Sequence, residues 1–163
     1  MERNLTAFVI TLSDRAYKRI YEDKSGMLIE KWLKKELNFY YVERIVIPDD
    51  EIFFKKTFKK FLKKQPHLII TTGGTGASPT DITPEVTEKF IMKKIPGIME
   101  YLRYEGSKDT PFSYLSRGIA GIHKQTLIIN LPGSIKAVEN NLNSLKILLP
   151  HLLQSISGIE NHS

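Results

Sequence analysis

Apolar residues follow two rhythms along this chain, and the two alternate from one end to the other. Ala7-Phe8-Val9-Ile10, centred in a run from Leu5 to Leu12, is unbroken, as a strand buried on both faces requires. Leu28, Ile29, Trp32, Leu33 and Leu37 then recur at helical spacing and predict an amphipathic helix, introduced by a loop through Asp23 and Gly26. A second strand is predicted from about Tyr41 to Ile47, stopping at Pro48. Next, Phe53, Phe54, Thr57, Phe58, Phe61 and Leu62 interleave with Lys55, Lys56, Lys59, Lys60, Lys63 and Lys64, the pattern of one helix with a basic outer face. His67 to Thr72 makes a third strand.

Beyond Gly73-Gly74-Thr75-Gly76 the pattern turns helical again. Thr83 is the expected cap of that helix, and Pro84 suits its first position because the missing N–H is not needed there. Pro96-Gly97 precedes a helix over Ile98 to Tyr104. Thr110 to His123 has no clear period and suggests a small hairpin. Thr126 to Asn130 is another buried strand, and Pro132-Gly133 opens a helix expected to end near Pro150, with a separate short helix over His151 to Ile156. Strand–helix alternation of this kind implies an α/β protein with a mostly parallel sheet and helices on both faces. Ligands of such sheets bind beyond the carboxyl ends of the strands. The polar loops after the strands are Ser13-Asp14-Arg15, Pro48-Asp49, Gly73 to Asp81 and Pro132-Gly133-Ser134.

The chain has 163 residues, enough for a substantial core, and residues 1–163 read as a single domain. With no cysteine it has no disulfide, no thiolate metal site and no cysteine nucleophile, which fits a cytoplasmic protein. Neither a signal peptide after Met1-Glu2-Arg3-Asn4 nor a membrane-spanning run is seen, so no membrane partner is expected. The net charge of +6 suits an anionic ligand. Much of it sits on the lysine-rich helix, whose basic face lacks the aromatic residues that stack nucleobases, so nucleic acid is not the expected partner.

Thr71-Thr72-Gly73-Gly74-Thr75-Gly76 directly follows a strand. Glycines there let backbone N–H groups approach phosphate oxygens, although neither a Walker A loop nor a dinucleotide fingerprint is present. Asp81, in Asp81-Ile82-Thr83-Pro84-Glu85, lies just before a helix N-terminus and is placed to hold a Mg²⁺ that bridges phosphates, or to serve as an Asx turn or cap support. Asp49 is a second candidate carboxylate. The competing reading is that Asp49 or Asp50 caps the basic helix. Ser13 and Asp14 are ligand contacts or plain loop polar groups. The four histidines (His67, His123, His151, His162) show no metal-ligand spacing, and no nucleophile elbow appears. Glycines, two aspartates and hydroxyls without an evident base suit phosphoryl-type transfer, in which an ionised phosphate attacks and the protein positions and neutralises.

As an ordered set the motifs resemble the molybdopterin adenylyltransferase family. They are Leu12-Ser13-Asp14-Arg15 with Tyr21 to Gly26, Ile47-Pro48-Asp49, the glycine loop with Asp81 to Glu85, Leu115-Ser116-Arg117, and Asn130-Leu131-Pro132-Gly133-Ser134. The resemblance implies a three-layer α/β/α domain of the molybdenum cofactor biosynthesis type, a homotrimer, and adenylylation of molybdopterin by Mg-ATP with release of pyrophosphate. It assigns catalysis and Mg²⁺ to Asp49 and Asp81. Substrate and nucleotide binding fall to Ser13, Asp14, Gly73, Gly74, Thr75, Gly76, Ser116, Leu131, Pro132, Gly133 and Ser134. The molybdenum-insertion enzyme is the implied downstream partner. Where relatives carry a basic residue before the aspartate this chain has Thr80, and where many carry proline it has Ile135; Arg15, Arg117 or Lys136 remain to supply charge to a phosphate. The alternatives are a relative acting at metal insertion and a pterin-binding module without catalysis. Ile98, Met99, Tyr101, Leu102 and Tyr104, with Phe112 and Tyr114, are more apolar than one helix face needs. They either form a trimer contact or cover the sheet edge within one subunit.

Overall fold

The computed structural model describes residues 4–158; Met1 to Arg3 and His162 lie outside the described residues. Six strands form one sheet: β1 (Thr6–Leu12), β2 (Tyr41–Ile47), β3 (Leu68–Thr72), β4 (Lys93–Lys94), β5 (Ala120–His123) and β6 (Thr126–Leu131). The helices are α1 (Asp14–Tyr17), α2 (Lys24–Glu36), α3 (Glu51–Lys63), α4 (Thr83–Glu88), α5 (Pro96–Ser107) and α6 (Ile135–Ile156), with a 3₁₀ segment at Pro111–Leu115. Strand order is β2-β1-β3-β6-β5-β4; the first four run parallel, and β5 pairs antiparallel with β6 and β4 with β5.

Two cores explain why the central strands β1, β3 and β6 are mostly apolar on both faces, whereas the edge strand β2 carries Glu43 and Arg44. Ala7, Val9, Leu68, Ile70, Leu127 and Ile129 point to one face, where α2, α5 and α6 cover them through Ile29, Leu33, Leu102, Leu145 and Leu149. The intervening Phe8, Ile10, Ile69 and Ile128 point the other way, onto Phe54, Phe58 and Phe61 of α3 and Val86 of α4. Phe8 and Phe61 stack with ring centroids 4.1 Å apart. The lysines of α3 therefore ride outside a fully committed apolar face. This is the expected three-layer α/β/α arrangement.

Several expectations are corrected. Residues 135–156 form one helix, not two, with Pro150 inside it. Proline removes one N–H and crowds the preceding turn at a cost of ~3 kcal/mol. Leu142, Leu145, Leu149 and Leu153 continue the buried stripe on both sides of it, and burial of ~1.5–3 kcal/mol per leucine outweighs the break. Thr83 does not cap α4: its hydroxyl donates to the carbonyl of Gly73 at 2.8 Å, and Ile82 occupies the cap position. Gly26 lies in the first turn of α2, not in a preceding loop, because Asp23 caps the helix by accepting from Gly26 N at 2.9 Å. The hairpin falls at β5–β6, with β4 adding an edge pairing that a two-residue strand could not announce. Ile98, Met99 and Leu102 are buried within the subunit, so that part of the apolar surplus covers the sheet.

Asp23 is a second anchor of the fold. Besides capping α2 it accepts from Thr11 Oγ1 at 2.9 Å and from Arg44 Nη1 at 2.8 Å, joining α2 to β1 and β2. Asp23→Ala loses the cap, leaves the Thr11 hydroxyl without its acceptor and leaves Arg44 with Glu30 as its one remaining ion-pair partner among the described residues. Expected destabilisation is about 2–4 kcal/mol, against about 1 kcal/mol for Asp23→Asn, which still caps. Urea midpoints of the two variants measure the difference; equal midpoints contradict this account.

Candidate active site

Each parallel strand delivers a polar loop to the same edge of the sheet, and the backbone at Gly73 brings them together. Gly73 has φ +93°, a left-handed conformation that favours glycine. A Cβ there would lie 2.4 Å from the carbonyl oxygen of Leu12. Gly73 N donates to the carbonyl of Leu131 at 3.1 Å, and Thr72 Oγ1 donates to that of Pro132 at 2.7 Å. The loops after β1, β3 and β6 are thus stacked main chain on main chain. Ser25 Oγ, at the start of α2, donates to the carbonyl of Gly133 at 2.8 Å and fixes the third of them from outside.

The glycine loop is closed by its own polar groups. Thr83 N donates to the carbonyl of Gly74 at 3.1 Å. Asp81 accepts from Ser78 N through Oδ2 at 2.9 Å, so the Asx-type support expected as the plain alternative is present. Arg117, beyond the 3₁₀ segment, reaches over this loop and donates to carbonyls of Gly76 and Asp81.

Asp49 and Asp14 form a reciprocal pair. Asp14 N donates to Asp49 Oδ2 at 3.1 Å, and Asp49 N donates to Asp14 Oδ1 at 3.0 Å. The cap of α3 is Asp50, which accepts from Phe53 N at 2.7 Å. Asp49 is therefore not the capping residue. Burial pushes its carboxyl above the usual range, with the charges of Asp14 and Asp81 adding to the rise and the bond from Asp14 N opposing it. Ser13 caps α1 by accepting from Ala16 N at 3.2 Å and shares a 2.7 Å hydrogen bond with the Tyr21 hydroxyl.

A cleft of about 510 Å³ opens at this edge. One wall is Gly73 to Gly76 with Asp81, and its floor is Pro132, Gly133 and Ser134. Lys136, Asn140 and Asn141 come from α6; Met99, Leu102 and Arg103 from α5; Phe112, Leu115 and Ser116 from the 3₁₀ segment and the residue that follows it. The predicted residues Gly73, Gly74, Thr75, Gly76, Asp81, Ser116, Pro132, Gly133 and Ser134 come together here. Ser13, Asp14 and Asp49 lie at the neighbouring strand ends, outside the lining, and the Leu131 side chain is fully buried in the core. Sequence reasoning missed the α5 wall. Its apolar surplus was visible at Met99 and Leu102, but periodicity does not distinguish a cleft wall from an interface. Ser134 accepts from Ala137 N at 3.3 Å and caps α6, whose N-terminal amides border the same cleft, a setting that favours an anion.

Fold and site define an α/β protein with an anion-favouring cleft at the carboxyl ends of its strands. The chain belongs to the molybdenum cofactor biosynthesis family, whose model, described as a probable molybdopterin binding domain, matches residues 8–153. It is 41% identical over 154 residues to a molybdopterin adenylyltransferase of Helicobacter pylori, covering 92% of this chain and 86% of that protein. It is 34% identical to the molybdenum cofactor synthesis protein cinnamon of Drosophila melanogaster over 94% of this chain, which spans only 26% of cinnamon. The solved molybdopterin biosynthesis Mog protein of Mycobacterium ulcerans superposes with a TM-score of 0.88 at 39% identity, covering 93% of this chain and 99% of that one.

The raised Asp49 carboxyl has a consequence for stability. As pH climbs above the ordinary carboxylate value, the unfolded chain loses this proton first. The native state then holds more protons than the unfolded one, and stability falls as pH rises through the window between the two values. Asp49→Asn keeps an acceptor for Asp14 N and removes that loss. Its melting temperature at pH 7 is expected to equal or exceed that of the parent protein. A variant clearly less stable than the parent at pH 7, yet equal to it at pH 3, would contradict the assignment.

Proposed function

We propose that this chain adenylylates molybdopterin: an ionised phosphate oxygen of molybdopterin attacks the α-phosphorus of ATP, the bond to the β-phosphate breaks, and pyrophosphate leaves. The observation that supports this most is that the family match over residues 8–153 spans the whole lining of the cleft, in a chain 41% identical to a molybdopterin adenylyltransferase. No general base is needed, because the attacking oxygen is already ionised. The protein's work is to hold two polyanions close together and neutralise them.

The residues divide that work by place. The glycine loop and the N-terminus of α6 border the cleft, a setting that suits main-chain binding of an anion. Lys136 adds a formal positive charge, and among the described residues it has no ion-pair partner. Met99, Leu102, Phe112 and Leu115 give an apolar wall suited to a flat heterocycle.

For Mg²⁺, no group of three or more histidine, aspartate or glutamate residues among those described is placed to hold an ion. Two carboxylates within electrostatic reach are present instead, Asp81 in the cleft and Asp49 beside it. That donor set fits an ion delivered with a nucleotide, since Mg²⁺ is commonly held by one or two carboxylates plus phosphate oxygens and water. Asp81 would hold it with Asp49 in support, and the ion when bound would neutralise charge on the phosphates. The remaining parts of the reading are a cytoplasmic location, a homotrimer and delivery of the product to a molybdenum-insertion enzyme. For assembly the support is the exposed set Tyr104, Phe112, Tyr114 and Leu115, from 56% to 74% accessible, which remains after α5 has covered the sheet.

Purified protein incubated with molybdopterin and Mg-ATP is expected to yield pyrophosphate and adenylylated pterin. Asp81→Asn, which keeps shape and loses charge, is expected to slow this on the order of 10²-fold, as removal of one preorganised electrostatic group does elsewhere. Pterin binding without pyrophosphate release would make the chain a binding module. Sedimentation equilibrium is expected to give three times the chain mass, and a monomer across micromolar concentrations would contradict the trimer.

A further inference from the structure

Four hydrogen-bonding groups of Arg117 converge on the glycine loop and its flank. The backbone N–H donates to the carbonyl of Thr75 at 2.9 Å, Nε to that of Gly76 at 2.7 Å and Nη2 to that of Asp81 at 3.0 Å. Nη1 pairs with Glu85 in the first turn of α4. Between Gly76 and Asp81 the chain has no helix or strand, and Ala77, Ser78, Pro79 and Thr80 are all exposed. One side chain therefore bridges the mouth of a loop whose other bonds are local ones within residues 73–83. Asp81 is held at three groups: its carbonyl accepts from Arg117, its carboxylate accepts from Ser78 N, and its own N–H donates to the Ser78 carbonyl.

The chemistry of the guanidinium suits this task. Its planar fork presents donors in fixed, diverging directions, which an ammonium group cannot reproduce. Glu85 balances its charge, and the hydrogen bond from Arg117, the main cause, holds the Glu85 carboxyl below the usual carboxylate range. Arg117 is thus occupied by main-chain carbonyls and a counter-ion, whereas Lys136 has no ion-pair partner among the described residues and lines the cleft.

We propose that Arg117 is a positioning residue, which closes the loop from Thr75 to Asp81 and so sets the place of Asp81 in the cleft, acting by its fork and not by charge on a phosphate. The proposal rests on the catalytic reading of Asp81 given above.

The test compares Arg117→Lys, which keeps the charge and loses the fork, with Glu85→Gln, which keeps an acceptor and loses the counter-charge. In the full chain, Arg117→Lys is expected to lower kcat on the order of 10²-fold, the scale of a misplaced catalytic group, with little change in the KM for ATP. Amide exchange at Ser78 and Asp81 should quicken in the same variant. Glu85→Gln is expected to stay within about fivefold of the parent kcat, because an exposed ion pair contributes little. If Arg117→Lys does not fold, Arg117→Gln, which also lacks the fork, is expected to show the same two effects.

A raised KM for ATP on charge removal, with the Lys variant unimpaired and exchange unchanged, overturns the proposal in favour of a phosphate contact. Loss in Glu85→Gln equal to that in Arg117→Lys overturns the claim that the fork matters more than the charge. Exchange does not depend on turnover. Faster exchange with parental kcat therefore refutes the link between loop and rate, and faster exchange in a protein that never adenylylates refutes the catalytic reading of Asp81 while leaving the loop closure standing.

Discussion

Three strand ends meet at Gly73 with no room for a side chain between them. The carbonyl of Leu12 occupies the place a Cβ would need, 2.4 Å from it, and a Cβ on Gly133 would lie 3.4 Å from Gly73 Cα. Main chain packs on main chain, so the loops after β1, β3 and β6 cannot slide independently. A larger residue would have to part β1 from β3, which share a parallel register from Ala7–Leu68 to Thr11–Thr72. The cleft inherits its rigidity from this crossing. Its glycine wall and its floor are both fixed to the ends of central strands, whose shared sheet is buried on both faces.

Behind the crossing, polar side chains in the dry interior carry the same constraint outward. Asn130, fully buried on β6, donates to Thr71 Oγ1 at 2.9 Å and Thr87 Oγ1 at 3.0 Å, and accepts from Ile119 N at 3.1 Å. Thr87 donates to the carbonyl of Thr83, and Thr83 to that of Gly73. The chain of bonds runs from the edge hairpin through α4 to the glycine loop. Among the described residues no buried side-chain polar atom lacks a partner. Each such bond adds only about 1 kcal/mol net, but one left unmade costs about 1–3 kcal/mol, so the network enforces one arrangement more than it adds stability.

How much of this the sequence shows depends on the range of the interaction involved. The four parallel strands and the faces of α2 and α3 are local facts of periodicity and are legible at once. Asp81 and the glycine loop stand out because small and acidic residues after a buried strand have few other uses. Thr83 and Pro150 mislead for one reason. Local propensity favours a cap at the first and a stop at the second, while a carbonyl ten residues back and a leucine stripe on both sides override it. Asp49 and Asp50 are indistinguishable in sequence; the hydrogen bond to Phe53 N belongs to the second, which frees the first for Asp14. On the far wall of the cleft the motif Leu115-Ser116-Arg117 is legible, whereas the α5 part depends on the packing of α5 against α6, which no motif encodes.

The acidic side chains at the strand ends explain why a site for polyanions tolerates carboxylates at all. Asp14 and Asp49 spend oxygens on each other's backbone N–H groups, which holds two like charges side by side without a cation of their own. Asp81 sits near enough to raise the Asp49 carboxyl further. Left alone, this is an unfavourable grouping, and its cost is relieved by whatever brings positive charge. A bare polyphosphate would worsen it, and a phosphate carrying a divalent ion would relieve it. On the function proposed above, the grouping would favour a phosphate that carries a divalent ion over a bare one, while Lys136 and the α6 N-terminus would attract the phosphates that remain. On that reading, selection for the metal-bound form would follow from the charge pattern along the sheet edge, without a protein cage for the ion.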